Sequence, residues 1–118
     1  MTLELAEDRD SVANVVVNGA ISPADIAPPA DPLRHLLGPN CHSRKVTLQF
    51  KDASYLDSMG AAWLVGCNRK FREGGGKLVL HSLHPTMLNI LRVLKLDTIL
   101  NIAADADSAH KLAAGEAS

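Results

Sequence analysis

The sequence predicts an α/β fold: a mixed β-sheet of four to five strands with helices packed mainly on one face. Three observations lead there. VTLQF (46–50) and KLVLHS (77–82) have strand length and strand patterning, and the stretch between them changes to helical periodicity. Two β-branched or alternating segments near the start lie close enough together to pair as a hairpin. The 118 residues suffice for one compact core, so residues 1–118 are expected to form a single domain.

Leu3 and Leu5 alternate with polar neighbours, as in a short strand, and VANVVVNG (12–19) is β-branched and ends on Asn-Gly, a turn signal. The next stretch, ISPADIAPPADPLRHLLGPN, holds five of the six prolines, which remove donors and turn preceding residues away from helix. Only Asp31 to Leu37 is expected to be helical there, with Asp31 as N-cap, Pro32 at the first position and Gly38 past the end.

In VTLQF, Val46, Leu48 and Phe50 share one face. From Ser58 to about Arg72, Ala61, Leu64, Val65 and Phe71 share a helical face while Arg69 and Lys70 point away. Gly74, Gly75 and Gly76 stop that helix before the strand at 77–82. PTMLNILRVLK (85–95) opens on proline and groups Leu88, Leu91 and Leu94, with Met87 and Ile90 beside them, as an amphipathic helix. A short strand is expected near 98–102, then an alanine-rich terminal helix from about Asp105 (105–118) that frays toward Ser118. Strands joined through single helices require right-handed crossovers and parallel pairing; the hairpin adds an antiparallel pair.

Composition excludes several functions. Twelve Lys plus Arg against 13 Asp plus Glu give a formal net charge of −1, with no basic block, and aromatic residues are 3% of the chain. Neither a phosphate-tracking surface nor a stacking platform is available, so nucleic acid is not an expected partner. MTLELAEDRD lacks the pattern of a signal peptide, and no apolar run is long enough to span a bilayer. A cytoplasmic protein without membrane insertion is expected. Cys41 and Cys67 are far apart and outside any CxxC spacing, which suits two reduced thiols. No cofactor or metal is expected: His81 and His84 are a weak pair, Cys41-His42 is no better, and GGGK precedes a strand and lacks the spacing of a phosphate loop.

The chemistry concentrates in YLDSMGAAWLVG (55–66). Asp57 and Ser58 stand where a strand and its connection pass into a helix, a place that favours an anion through exposed amides and the helix dipole. Both are also ordinary helix caps, and no capping box supports them, because Gly60 and Ala61 stand where Glu or Gln would be needed. A nucleophilic role is disfavoured because GxSxG is absent and no histidine is marked as a base, so no enzymatic activity is expected.

The run VTLQFKDASYLDSMGAAWLVGCNRKFREGGGKLVL followed by PTMLNILRVLKLDTIL resembles a STAS domain of the anti-sigma factor antagonist type. Matching features are a strand, a connection ending in Asp-Ser-x-Gly, a helix, a glycine-rich turn, a strand, and a helical segment ending in Leu-x-x-Leu-x-x-Leu-x-Leu-Asp (88–97). The resemblance is close over about residues 43–103 and rests on element order over 1–42, where VNGAIS stands for the family's Gly-x-Leu-Asp.

The resemblance implies that Ser58 is a phosphoacceptor for a partner that is both serine kinase and anti-sigma factor. The unmodified domain would bind that partner and the phosphorylated one release it; ATP would bind the kinase. The surface implied is Asp57, Ser58, Met59, Gly60, Ala62 and Trp63, with Ser22 beside it. Two acids usual in such members are replaced, one by Gln49 before the motif and one by Ser22 after the second strand. DSMGAAWL, with Ala61 for the usual Leu, is also similar to STAS subunits of lipid-trafficking ABC transporters, which implies constitutive docking to a transporter subunit as the alternative. Trp63 suits either a core edge or an aromatic anchor, with Arg69, Lys70 and Arg72 as a basic rim or a solvated face.

Overall fold

The computed structural model describes residues 1–27 and 31–115; Pro28 and Pro29 of the long connection, and the last part of the expected frayed tail, lie outside them. The first two strands, β1 (Thr2–Arg9) and β2 (Val12–Ala20), form an antiparallel hairpin. Its turn is Asp10-Ser11, both left-handed at φ 55° and 63°, the geometry that suits the twist of a two-residue hairpin. The Asn-Gly signal at 18–19 is therefore no hairpin turn. β2 runs through it, and Gly19, at φ 80°, donates its N–H to Asp52 O at 3.1 Å where the pairing shifts.

After β2 come α1 (Pro23–Ile26), α2 (Pro32–Leu37) and a single 3-10 turn, Cys41–Ser43. The expected helix at 31–37 is present, capped by Asp31, which accepts Arg34 N–H at 3.3 Å. α1 was not expected, because Pro23 reads as a breaker; at the first helical position its missing N–H costs nothing. β3 (Lys45–Gln49), β4 (Ala53–Tyr55), α3 (Ser58–Glu73), β5 (Lys77–His81), α4 (Pro85–Val93), β6 (Asn101–Ala103) and α5 (Ala106–Ala114) complete the order.

The sheet runs β1-β2-β3-β5-β6, parallel from β2 onward, with β4 paired to the end of β2. Among the described residues six strands stand where four to five were expected; β4 is too short to show alternation in sequence. β6 begins later than expected because Ile99 N–H and Leu100 N–H both return to Leu96 O, at 3.0 and 2.9 Å, and hold that segment in a tight turn.

Alternation sorts the strands onto two cores. Val15, Val17, Val46, Leu48, Leu78 and Leu80 meet Leu33 of α2, Leu64 and Phe71 of α3 and Leu91 of α4. On the other face Val12 and Val79 meet Ala109 and Ala113 of α5, whose small side chains, one turn apart, let the helix approach closely. Among the described residues, four helices lie on one face and α5 alone on the other. Leu64 and Phe71, at 0% and 1% exposure, each contribute about 2–3 kcal/mol through burial, so the face that anchors α3 is set by the periodicity seen in sequence.

Both cysteines are buried and free. Burial pushes the Cys67 thiol up to about 12 and raises Cys41 as well, with Asp31 adding to the rise. Neither forms the thiolate that reacts or ligates at neutral pH.

Candidate functional site

The chain reaches the site through a sharp path. Phe50, fully buried, ends the run from β3; Ala53 N–H turns back to Phe50 O at 3.2 Å; β4 then hands over to Leu56, 2% exposed, directly beneath the start of α3. Asp57 is the N-cap of α3, in extended conformation at φ −110°, and its Oδ1 accepts the Gly60 N–H at 2.9 Å. Its carbonyl accepts the Ala61 N–H at 2.9 Å, the first bond of the helix. The cap satisfies one of the first-turn amides that a helix leaves without internal partners; the others remain available to water or an anion.

Ser58 occupies the first helical position and is exposed. Met59, 51% exposed, and Ala62 lie on the same open side. Gly60 is buried: a Cβ there would sit 2.6 Å from Leu56 Cδ1 and 3.6 Å from Ile21 Cγ2. It acts by letting these side chains close beneath the helix start. Trp63 is half-buried and packs against the main core, the core-edge position. Of the three cations expected as a rim, Lys70 leans to Asp31 at 4.0 Å, while Arg69 and Arg72 are exposed.

Ser22 is brought to the same end of the molecule, since Ile21 packs under Gly60 and donates its N–H to Tyr55 O at 3.4 Å. The Ser22 hydroxyl and amide both donate to Asp25 Oδ2, at 2.7 and 3.0 Å, and the amino terminus reaches the same oxygen at 3.1 Å. These bonds, the Ser22 hydroxyl foremost, hold the Asp25 carboxyl down at about 2. A carboxylate thus sits on Ser22, where the family pattern has an acid. Asp25 was missed in sequence although Ser22-Pro-Ala-Asp25 carries the reciprocal spacing of a capping box, with Asp for Glu.

Gln49 is on the other side of the sheet. Next to Leu48, which faces α3, it alternates to the α5 face and lines a cavity of about 240 Å³ with Asn14, His81 and His110. There Thr47 Oγ1 donates to Asn14 Oδ1 at 2.7 Å, Asn14 Nδ2 meets His110 Nδ1 at 3.5 Å, and His110 Nε2 meets Asp10 Oδ2 at 3.0 Å. This chain ties the hairpin turn to α5. The five residues Asp57, Ser58, Met59, Ala62 and, from the neighbouring segment, Ser22 come together at one end; Gln49 does not join them.

His81, 2% exposed, meets Ser82 Oγ at 2.9 Å; burial lowers its pKa, opposed by Asp105. In the unfolded chain it titrates near 6.5, so between there and its lower folded value the unfolded state holds more protons. Stability should fall as pH drops through about 6.5 and level off once the folded histidine also protonates. Urea titrations across that range should show this slope in the wild type and a weaker slope in His81→Gln.

Asp57→Ala should cost about 1 kcal/mol through loss of the cap, and Asp57→Asn, which keeps an acceptor, clearly less. Denaturant midpoints at fixed slope measure both.

A family model for the STAS domain matches residues 5–109. The chain belongs to the STAS domain family. Solved structures similar to this STAS domain include a Thermotoga maritima protein described as a candidate anti-sigma factor antagonist, at TM-score 0.78 and 18% identity over 91% of each chain. It is also similar to the anti-sigma factor antagonist SpoIIAA in its unphosphorylated form, at TM-score 0.68 and 16% identity over 99% of this chain and 98% of that one. The phosphorylated form of SpoIIAA, a Bacillus cell fate determinant, matches at TM-score 0.57 and 14% identity over 94% and 97% of the two chains. At these identities the likeness is one of fold, and the STAS fold is generally that of a binding module.

Proposed function

We propose that this STAS domain is a bacterial regulatory binding module of the anti-sigma factor antagonist type, switched by reversible phosphorylation of Ser58. Unmodified, it binds a serine kinase that is also an anti-sigma factor; phosphorylated, it lets that partner go. The domain performs no catalysis of its own and acts in the cytoplasm, with ATP bound by the kinase.

The observation that carries this reading is the exposed Ser58 hydroxyl at the first position of α3, next to a carboxylate fixed on Gly60. Leu56 and Ile21 pack closely under this helix start, which favours a modification that changes charge at the surface over one that rearranges the fold. A phosphate brings about −1.5 to −2 charges, which the helix N-terminus tolerates but an interface formed around a neutral hydroxyl beside Asp57 does not. That SpoIIAA has been solved both with and without phosphate supports the same economy here. The Asp25 carboxylate, shared between Ser22 and the amino terminus, lies near the position where the family pattern has an acid.

The test is intact mass with peptide mapping of the protein from its native cells under phosphatase inhibition. A phosphate on Ser58 is expected; its absence across growth and stress conditions would overturn the switch and move the weight to constitutive docking on a transporter subunit.

A further inference from the structure

The two flanks of α3 are differently committed. Lys70 leans to Asp31 near α2, whereas residues 65, 68, 69 and 72 recur at three- and four-residue spacing along another stripe. Within that stripe Asn68, 2% exposed, donates from Nδ2 to Ile99 O at 3.3 Å, which fixes the turn after α4 against it. The turn is a Schellman closure: Leu96 N–H reaches Leu91 O at 2.8 Å and Lys95 N–H reaches Arg92 O at 2.9 Å. Lys95 occupies the left-handed position of that closure at φ 59°, where glycine is favoured, and is exposed.

The corner is also apolar. Val93 is 71% exposed, Leu94 43% and Ile99 47%; exposed Arg92 and Lys95 flank Val93 and Leu94 in the chain, and exposed Arg69 and Arg72 share the α3 stripe that Asn68 joins to Ile99. Charge is uneven along the chain: residues 32–95 hold ten Lys or Arg against three Asp or Glu, whereas residues 1–31 hold one against six and residues 96–118 one against four, with exposed Asp97 at this corner among them. β1, which carries Glu4, Glu7 and Asp8, is the sheet edge farthest from β6, the strand that follows this corner.

We infer that this corner docks peripherally on an anionic lipid bilayer, with Val93, Leu94 and Ile99 entering the headgroup boundary and Arg69, Arg72, Arg92 and Lys95 pairing with lipid phosphates. An extended anionic plane matches aliphatic tips with exposed cations beside them, since it can engage both at once. A protein partner fits less well, because the corner's exposed apolar residues are Val, Leu and Ile, without the Trp or Tyr that anchors hot spots, although three of its cations are arginines. No helix among the described residues is long and apolar enough to cross a membrane, so attachment would be reversible. Asn68 is ten residues from Ser58, about 15 Å along the helix, which keeps the two surfaces separate.

Flotation of the full chain with vesicles tests this. Binding to phosphatidylcholine mixed with phosphatidylglycerol should exceed binding to phosphatidylcholine alone by about tenfold and vanish at high salt. Arg72→Glu with Lys95→Glu, and separately Val93→Asp, should each reduce it about tenfold with the melting temperature unchanged. Should Lys95→Glu lower the melting temperature, Lys95→Gly with Arg72→Gln removes the charges without strain and should show the same loss. Equal binding to both vesicle types, or charge variants that float like wild type, would overturn the proposal. Capture on polyglutamate beads without flotation would overturn it in favour of an acidic protein partner.

Discussion

Gly76→Ala should destabilise the domain by about 3 kcal/mol or more, a large part of the 5–15 kcal/mol that holds a domain of this size together. A Cβ at this position would run into backbone, not into a side chain that can swing aside: the Arg44 carbonyl is nearest, the His42 carbonyl lies at 2.5 Å, and Arg44 N at 3.0 Å. The same strip of chain carries the bonds that join the end of α3 to the sheet. Gly76 N–H is shared between His42 O and Phe71 O, at 3.1 and 2.8 Å, and Lys77 N–H reaches Arg44 O at 3.0 Å. Relief of the clash would pull apart the register that starts β5 next to β3, where Lys45 pairs with Lys77.

A fall in Tm of about 10 °C or more is expected, read by thermal melting with urea titration as a check on two-state behaviour. Gly66→Ala supplies the opposite sign. A Cβ at Gly66 meets nothing within 4 Å, and the residue is in the middle of α3, so the gain in helix propensity should stabilise by about 0.5–1 kcal/mol. If both substitutions destabilised equally, the close approach of Gly76 to the 42–44 backbone would not be the cause.

That contrast also marks the limit of what the sequence shows. A run of three glycines before KLVL is legible as the end of a helix, because each lowers helix propensity, but the reason for Gly76 lies on the 42–44 backbone, more than thirty residues earlier. The strands and helices that build the main core were legible for the same reason that they are stable: Leu48, Leu64, Phe71, Leu80 and Leu91 repeat at the period of their elements and are all buried. β4 was not, since three residues give no period, and it exists through pairing with the end of β2.

Asp57 as a cap and Ser58 as the exposed residue after it follow from local chemistry and were readable. The side of the sheet on which Gln49 ends up was readable in principle, from its alternation with Leu48, but only once the face taken by α3 was known. Asp25 was hidden by Pro23, whose reputation as a breaker conceals a first-turn role.

Ser58→Asp should remove binding to the kinase partner by at least about 100-fold, roughly 2.7 kcal/mol, while leaving the fold as stable as before or slightly more so. The two halves of this expectation have different physical origins. Aspartate at the first position of α3 adds negative charge beside unpaired first-turn amides, which favours the helix by about 0.3–1 kcal/mol. The same charge has to be desolvated when a partner covers it, and it repels the neighbouring Asp57 carboxylate that the cap bond holds in place. Ser58→Ala removes only a hydroxyl and should keep binding within about tenfold, while abolishing phosphate incorporation by the kinase. Titration of each variant against the partner recovered with the wild-type protein, alongside its melting curve, separates these terms. Binding of Ser58→Asp at wild-type strength would sink the switch, and so would a loss of binding by Ser58→Ala as large as that of Ser58→Asp, because charge would then not be what the interface reads.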